Sequence, residues 1–501
     1  MVVDRLDGLV PEMMLLALAV VVAVLGLSKA NSIRRMVPLL TAGGLFVAAW
    51  LAWGGKDLPP ESAGFLAPSL AASLRSMIAG VGGVLALVAS GTVDRRLEHD
   101  VESGRMPFEP LRASRGEFYA FMLLSITGAM LVASASDLIW LFLALELTSL
   151  PTYVMVVMGR AGRRGAEASV KYFFLGAMAT AMFLYGFALV YGGTGSMQLA
   201  DIAEIVASRR NLEGLDMVTT AGFLLALLGV GYKLAAAPLH LYAMDVYEGA
   251  SASVTAFLGF VPKAAGTIAF MVLLQTAGGE SLPAMVVTLI WMLAVLTMSL
   301  GNMAALQQTS AKRLFGGSSI AHSGYLLIGL LAGPGEGWAA TTFYLLVYGL
   351  MNTGVFAVLA ALERRGSEVE QVSDLGALRH RHPALGWSLV ACSGSLMGFP
   401  PLLGFVAKVW LFLAAVQSGH IALVVIAAIN SAAGAWYYLR MMGMPLLGAE
   451  PSEPVEAAPS PWPARAAMAI GVLLLVVPFF ADDLMVQTRE AAAAAVMVLG
   501  N

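Results

Sequence analysis

GYKLAAAPLHLY, residues 231–242, and GFPPLLGFVAK, residues 398–408, each place a lysine and a proline inside a long apolar run. Proline removes a backbone donor and interrupts a helix. Interrupted helices persist at membrane depth where the freed groups are buried in protein or line an aqueous cavity. A lysine at such depth is costly enough to mark a functional position. Two such segments in one chain point to a transporter built from structural repeats.

The rest of the chain agrees with a membrane location. Of 501 residues, 59% are hydrophobic and 12% charged, against roughly 25% charged in soluble domains. A water-soluble surface cannot be assembled from this mixture, and no basic face suggests nucleic acid. The single cysteine, Cys392, permits no internal disulfide and fits no metal-ligand spacing, so it is read as a packing residue.

A bilayer core needs about 20 mostly apolar residues per helix. Such runs recur at 11–28, 36–53, 70–91, 117–135, 137–158, 168–191, 217–243, 251–275, 284–307, 316–332, 337–362, 384–416, 420–441 and 463–481. The expected fold is therefore an all-α integral membrane protein of about fourteen transmembrane helices. The flank Asp4-Arg5-Asp7 lacks the positive charge of a secretory leader, and the first run is read as a retained helix. A charged loop (92–116), an amphipathic stretch (198–211), a polar linker (363–383) and a Pro/Glu/Ala loop (448–462) separate the runs.

Basic residues in short loops orient the chain. Lys29, Arg34, Arg35, Arg95, Arg96, Arg105, Arg112, Arg115, Arg160, Arg163, Arg164, Lys312, Arg313, Arg364, Arg365, Arg379, Arg381 and Arg440 fall on one side. Arg5, Lys56, Arg209, Arg210 and Arg489 fall on the other. The first side is cytoplasmic, and both termini are expected outside it. Arg75, Lys171 and Arg465 sit near helix ends, which leaves Lys233, Lys263 and Lys408 well inside.

Lys263 is about twelve residues into its helix, or about 18 Å from the start at 1.5 Å per residue. That is too deep for its ammonium to snorkel to an interface. Glu146, about nine residues into its own helix, is too short-armed to escape. Burial disfavours the charged form of a lysine and a neighbouring carboxylate favours it, so Glu146 can load or empty Lys233 if their helices adjoin. His240, beyond the first break, and His322 are candidates either for proton relay near neutral pH or for hydrogen-bonded packing. Lys263 has no carboxylate in its own helix, which favours an aqueous path beside it, running from Lys233 through Lys263 toward Lys408. His380 and His382, in a basic loop, are expected to be solvated.

The broken seventh and twelfth helices are five apart, which implies two inverted five-helix repeats, helices 4–8 and 9–13. The expected organisation is three N-terminal helices and a loop (1–116), a first repeat (117–275), a second repeat (284–441), and a C-terminal helix and tail (442–501). No Walker loop, dinucleotide fingerprint, cysteine cluster or haem ligand set is present in the sequence. Energy must then come from an ion gradient or from partner subunits.

LFLALELTSLPTYV (141–154), EASVKYFFLGAMATAMFLYGFALVYGGTG (167–195), GYKLAAAPLHLYAMDVYEGA (231–250), QQTSAKRLFGGSSIAHSGYLLIGL (307–330) and GFPPLLGFVAKVW (398–410) resemble the antiporter-like subunits of respiratory complex I. The resemblance runs over roughly 117–445, and within that superfamily the chain is most similar to the N-type subunits of NADH–quinone oxidoreductase. It implies that the family's membrane carboxylate is Glu146, its modulated lysine Lys233, its central lysine Lys263 and its terminal lysine Lys408. M-type relatives typically carry glutamate at the last position, and a chain ending after helix 14 lacks the lateral helix of the L type. Tyr242, Met244, Ser251 and Ser253 depart from the family's PFHLWTPDVYQGAPAP, without loss of an ionisable position. The resemblance further implies a proton-translocating subunit of a bacterial inner membrane, packed against M-like, K-like and J-like membrane subunits and the lipid bilayer. Proton movement would be driven by quinone reduction elsewhere. No cofactor is expected on this chain; NADH, FMN, iron–sulfur clusters and quinone are expected in partner subunits. The competing expectation is a subunit of a multisubunit cation/proton antiporter.

Overall fold

A computed structural model describes residues 8–55, 64–160, 162–212, 215–279, 281–364, 367–451 and 453–497. Among the described residues the regular structure is all helical apart from three very short strands. Its helices are α1 Val10–Gly26, α2 Asn31–Gly54, α3 Pro68–Val88, α4 Arg95–Glu102, α5 Arg115–Val132, α6 Leu138–Gly159, α7 Arg163–Thr194, α8 Leu199–Leu212, α9 Met217–Gly231 and α10 Ala243–Gly249. They continue as α11 Ala252–Thr276, α12 Ala284–Leu306, α13 Ala311–Leu331, α14 Glu336–Ala360, α15 Leu378–Arg381, α16 Pro383–Met397, α17 Leu403–Gln417, α18 Ile421–Leu447, α19 Trp462–Val476 and α20 Ala481–Met497. Among the described residues, 10 helices are long and apolar enough to cross a membrane, and α1, α9 and α17 are shorter apolar helices.

Each apolar run of the sequence lies on a helix, and the two broken runs lie on helix pairs: α9 with α10, and α16 with α17. The last run was read as ending at residue 481, but the helical span continues as Trp462–Ala493. Hydropathy falls there, yet Thr488–Ala495 is rich in alanine, the strongest helix former. The flank Asp4-Arg5-Asp7, Lys56 and Arg365 lie outside the described residues.

Burial sorts the helices into a centre and a rim. All residues of α11 and α13 within the apolar window are buried, and 83% of those of α14, against 33% for α7 and 28% for α18. A helix that is apolar all round belongs inside, and α11 can be enclosed because glycines let its neighbours approach: a Cβ on Gly259 would meet Asn352, and one on Gly266 would meet Lys233. The rim exposes large apolar side chains such as Trp50, Phe174, Tyr185, Ile429 and Trp436. That is the surface a bilayer or a neighbouring membrane subunit requires.

The linker after α14 folds into a three-stranded antiparallel sheet, order β2-β1-β3, from β1 Leu362–Arg364, β2 Ser367–Glu368 and β3 Glu456–Ala457. The Pro/Glu/Ala loop thus supplies one strand. In this sheet region His382, expected to be solvated, bonds through Nε2 to the Val455 carbonyl at 3.1 Å. The loop after α3 is tied down by Arg34, 1% exposed, which grips Glu98 through Nε and Nη2 at 2.8 and 2.7 Å. Burial works against ionisation of Glu98, but the Arg34 fork and the nearby Arg115 overcome it and hold the carboxyl below the usual range.

Candidate functional site

The first break follows from the residues around Lys233. Helix α9 stops at Gly231, Ala235 sits in left-handed backbone at φ 54°, and Pro238 cannot continue a helical ladder. The freed groups are met by one side chain from a neighbouring helix and one from the broken segment itself. The Ala237 N–H donates to Thr297 Oγ1 at 2.9 Å, and the Tyr242 hydroxyl donates to the Tyr232 carbonyl at 2.9 Å. At the second break Gly398, φ 85°, closes α16, with the N–H groups of Gly398 and Phe399 returning to the Gly394 carbonyl. A left-handed glycine followed by Pro400 and Pro401 is a helix stop legible in sequence.

Each deep lysine has a distinct set of partners. Lys233, 4% exposed, places its ammonium 3.8 Å from Glu146 Oε1 and donates to Ser149 Oγ and, at 3.3 Å, to the Leu145 carbonyl. Glu146 in turn accepts from Thr180 Oγ1 at 2.8 Å. Lys263, 2% exposed, reaches no carboxylate: it donates to the Ser319 carbonyl and to Ser323 Oγ on α13, and its ammonium lies 5.5 Å from the Tyr348 ring centroid. Lys408 takes the carbonyls freed at the end of α16, Met397 at 3.0 Å and Leu396 at 3.4 Å, together with Ser431 Oγ at 3.0 Å. A cation on the unsatisfied carbonyls of a helix C-terminus is favourable on both hydrogen-bond and dipole grounds.

These groups lie close together in a polar interior. Lys233 and Lys263 line one small cavity of about 10 Å³, room for about one water molecule, with Tyr172, Tyr242, Tyr247 and Pro262. The two lysines are also joined through protein, because Ser323 accepts from Lys263 and donates to the carbonyl of Leu234, the residue after Lys233. Ser319 Oγ meets the hydroxyls of Tyr247 at 2.8 Å and Tyr348 at 2.9 Å. His322, 1% exposed, is bracketed by Tyr344 on Nδ1 at 2.6 Å and Tyr438 on Nε2 at 3.0 Å. A neutral imidazole needs one donor and one acceptor, and tyrosine hydroxyls can be either. Beyond His322, Tyr325 stands with its ring centroid 5.6 Å from the imidazole and 5.2 Å from the Lys408 ammonium.

Of the six residues singled out from sequence, five are thus in or beside this interior. His240 stands apart: it is half-buried in the broken segment, its Nδ1 has no hydrogen-bond partner, and neither lysine bonds to it. The hydroxyl partners escaped sequence reasoning. Ser319 and Ser323 are four apart and flank His322, a polar stripe that helical spacing could have revealed. Tyr344, on the next helix, and Tyr438, 116 residues beyond His322, carry no local signal.

Comparison with known proteins gives consistent results. The family model described as "NADH:quinone oxidoreductase/Mrp antiporter, TM" matches residues 135–433. NADH-quinone oxidoreductase subunit N of Halorhodospira halophila is 35% identical over 495 residues, 96% of this chain and 97% of that protein. The Trichlorobacter lovleyi protein of the same description is 42% identical over 332 residues, 66% of this chain and 67% of that one. Among solved structures, a chain of respiratory complex I from Thermus thermophilus with bound aureothin superposes with TM-score 0.75 at 30% identity, covering 95% of this chain and 98% of that one. A chain of the Mrp complex from Dietzia sp. shares the fold, with TM-score 0.76 at 21% identity over 98% of this chain and 97% of that one.

Proposed function

The chain belongs to the NADH-quinone oxidoreductase subunit N family, and on that premise we propose that Glu146, Lys233, Lys263, His322 and Lys408 carry the protons it moves, with His240 a side relay at the first break. As a family member it is a multi-pass, antiporter-like, proton-translocating subunit of the complex I membrane arm. The observation that supports the assignment of residues is the shared cavity of Lys233 and Lys263, linked by Ser323 to the backbone of the first helix break.

A proton held on Lys233 is stabilised by Glu146. When that pairing weakens, the proton passes across the cavity to Lys263, whose partners are neutral. Between Lys263 and His322, and between His322 and Lys408, the described residues offer ring contacts through Tyr348 and Tyr325 rather than hydrogen bonds, so the proton crosses both gaps on water molecules held by the neighbouring hydroxyls. Charge on each site alters the proton affinity of the next, so the set titrates as a unit.

The finer organisation belongs to the same proposal. Fourteen membrane crossings, inverted repeats over 117–275 and 284–441, and flanking segments 1–116 and 442–501 account for two lysine-bearing breaks at equivalent places. The basic loops lie in the cytoplasm of a bacterium, and both termini lie on the far side of its inner membrane. M-like, K-like and J-like subunits cover the rim, while NADH, FMN, iron–sulfur clusters and quinone are held by partner subunits and drive the path by quinone reduction. The test is proton uptake into membrane vesicles carrying the assembled complex, measured per electron from NADH to quinone. Substitution of Lys233, Lys263 or Lys408 by alanine should lower that ratio, and an unchanged ratio in all three would remove the path.

A further inference from the structure

Helices α11 and α13 meet at two levels. At membrane depth, Lys263 of α11 donates to Ser319 and Ser323 of α13. On the cytoplasmic side, Glu368 of the polar linker accepts the Ala252 N–H, the first residue of α11, with both carboxylate oxygens at 3.0 Å. The same carboxylate accepts from Lys312, in the first turn of α13, at 2.8 Å. Lys312 is 1% exposed and also donates to the Ala250 carbonyl, just before α11, at 2.8 Å.

The linker is itself fastened to the start of α13. Its Glu370 carbonyl accepts from the Ala311 N–H and its Val372 N–H donates to the Thr309 carbonyl, both at 2.9 Å. Glu368 therefore reaches α11 from a base fixed on α13. Resting on the proposed proton path, we infer that Glu368 is a positioning residue for Lys263: it locks the axial register of α11 against α13 and so places the Lys263 ammonium opposite Ser319 and Ser323.

The physical reasons are three. A carboxylate on the first N–H of a helix satisfies an orphan donor and complements the positive end of the helix. Lys312 cannot be left buried without its counter-charge. Eleven residues separate Ala252 from Lys263 along an enclosed helix, so displacement of its first turn is transmitted axially because the packed walls leave no other accommodation.

The experiment uses the assembled complex in membrane vesicles with Glu368→Ala, Glu368→Gln, Lys312→Met and Lys263→Ala, measuring protons moved per electron and hydrogen exchange of the chain. Glu368→Ala should lower the ratio at least as far as Lys312→Met does, and the double variant should be no worse than either single. Amides at 252–254 should exchange about fivefold faster, the factor that loss of a helix cap produces, whereas those of α7 should not change. Glu368→Gln, which keeps an oxygen for Ala252, should retain more of the ratio than Glu368→Ala.

If Glu368→Ala leaves both readouts unchanged while Lys263→Ala lowers the ratio, the positioning role is wrong and the path stands. If Lys263→Ala leaves the ratio unchanged, the path itself fails. Loss of assembled complex in both Glu368 variants would also overturn the inference, by making Glu368 a folding residue.

Discussion

Glu146 Oε1 lies 3.8 Å from Lys233 Nζ, and each group has a second polar partner, Thr180 for the carboxylate and Ser149 for the ammonium. The pair is close enough for strong coupling and looser than a direct hydrogen bond. The ammonium can therefore be stabilised without being trapped.

Removing the carboxylate leaves Lys233 buried among neutral groups. Uncompensated burial of one partner of such a pair costs about 3–5 kcal/mol, which the lysine avoids by giving up its proton. Glu146→Gln, isosteric and still able to accept from Thr180, should leave the complex assembled on native gels but reduce proton pumping by about tenfold, a barrier change of about 1.4 kcal/mol. Full pumping in assembled Glu146→Gln complex would exclude this carboxylate from the path.

Lys263, like Lys408 and unlike Lys233, has only neutral hydrogen-bond and ion-pair partners among the described residues. Lys263→Ala interrupts the connection from the cavity to α13, whereas Lys263→Arg supplies a charge that is not surrendered at physiological pH. Both should depress pumping, though only one removes charge. Normal proton uptake by vesicles carrying Lys263→Arg would make this position a fixed structural charge.

Gly266 lies one turn beyond Lys263, and a Cβ there would come within 2.8 Å of Lys233 Cβ and 3.3 Å of Leu234 Cγ. Both contact residues belong to the break itself, and the nearer atom, Lys233 Cβ, is fixed by the backbone. Gly266→Val should force α11 from the first break and lower the yield of assembled complex, with a destabilisation of about 1–3 kcal/mol. Thermal inactivation of the complex would report it, and an unshifted midpoint would mean that the interior can yield there.

Glu370 ties the linker to the junction of α6 and α7 through Arg160 and, at 3.2 Å, Arg164. Partial burial opposes its ionisation, but the hydrogen bond and charge of Arg160, with Lys312 and Arg164, hold its carboxyl below the usual glutamate range. A group whose folded value is depressed contributes stability above its unfolded value and loses it as pH falls through the folded one. Linker protection against hydrogen exchange should therefore hold at neutral pH and decline below the ordinary glutamate range. In Glu370→Gln that acid-dependent part should vanish; an identical acid profile in the variant would assign it to other carboxylates.

The residues by themselves determined the membrane class, the helical runs, the two breaks and the four charges at depth. Each of those follows from local chemistry: apolar length against bilayer thickness, proline against the helix ladder, and a charge where none can be solvated. Lys408 and Pro400–Pro401 were legible for the same reason, since they share one short segment. Only the tertiary structure decided what each charge meets. Whether Glu146 faces Lys233 depends on how α6 packs on the first break, and the partners of Lys263 come from α13, some sixty residues onward. Tyr344, Tyr438 and Glu368 have no local signature, because a hydroxyl on a helix or a carboxylate in a polar linker is ordinary until packing gives it a partner. His240 shows the converse: its place beside Lys233 in sequence suggests a relay, yet among the described residues the hydrogen bonds of Lys233 and Lys263 go to other partners. Proximity along a broken helix is set by backbone path, and that path is fixed by side chains from other helices such as Thr297 and Ser323.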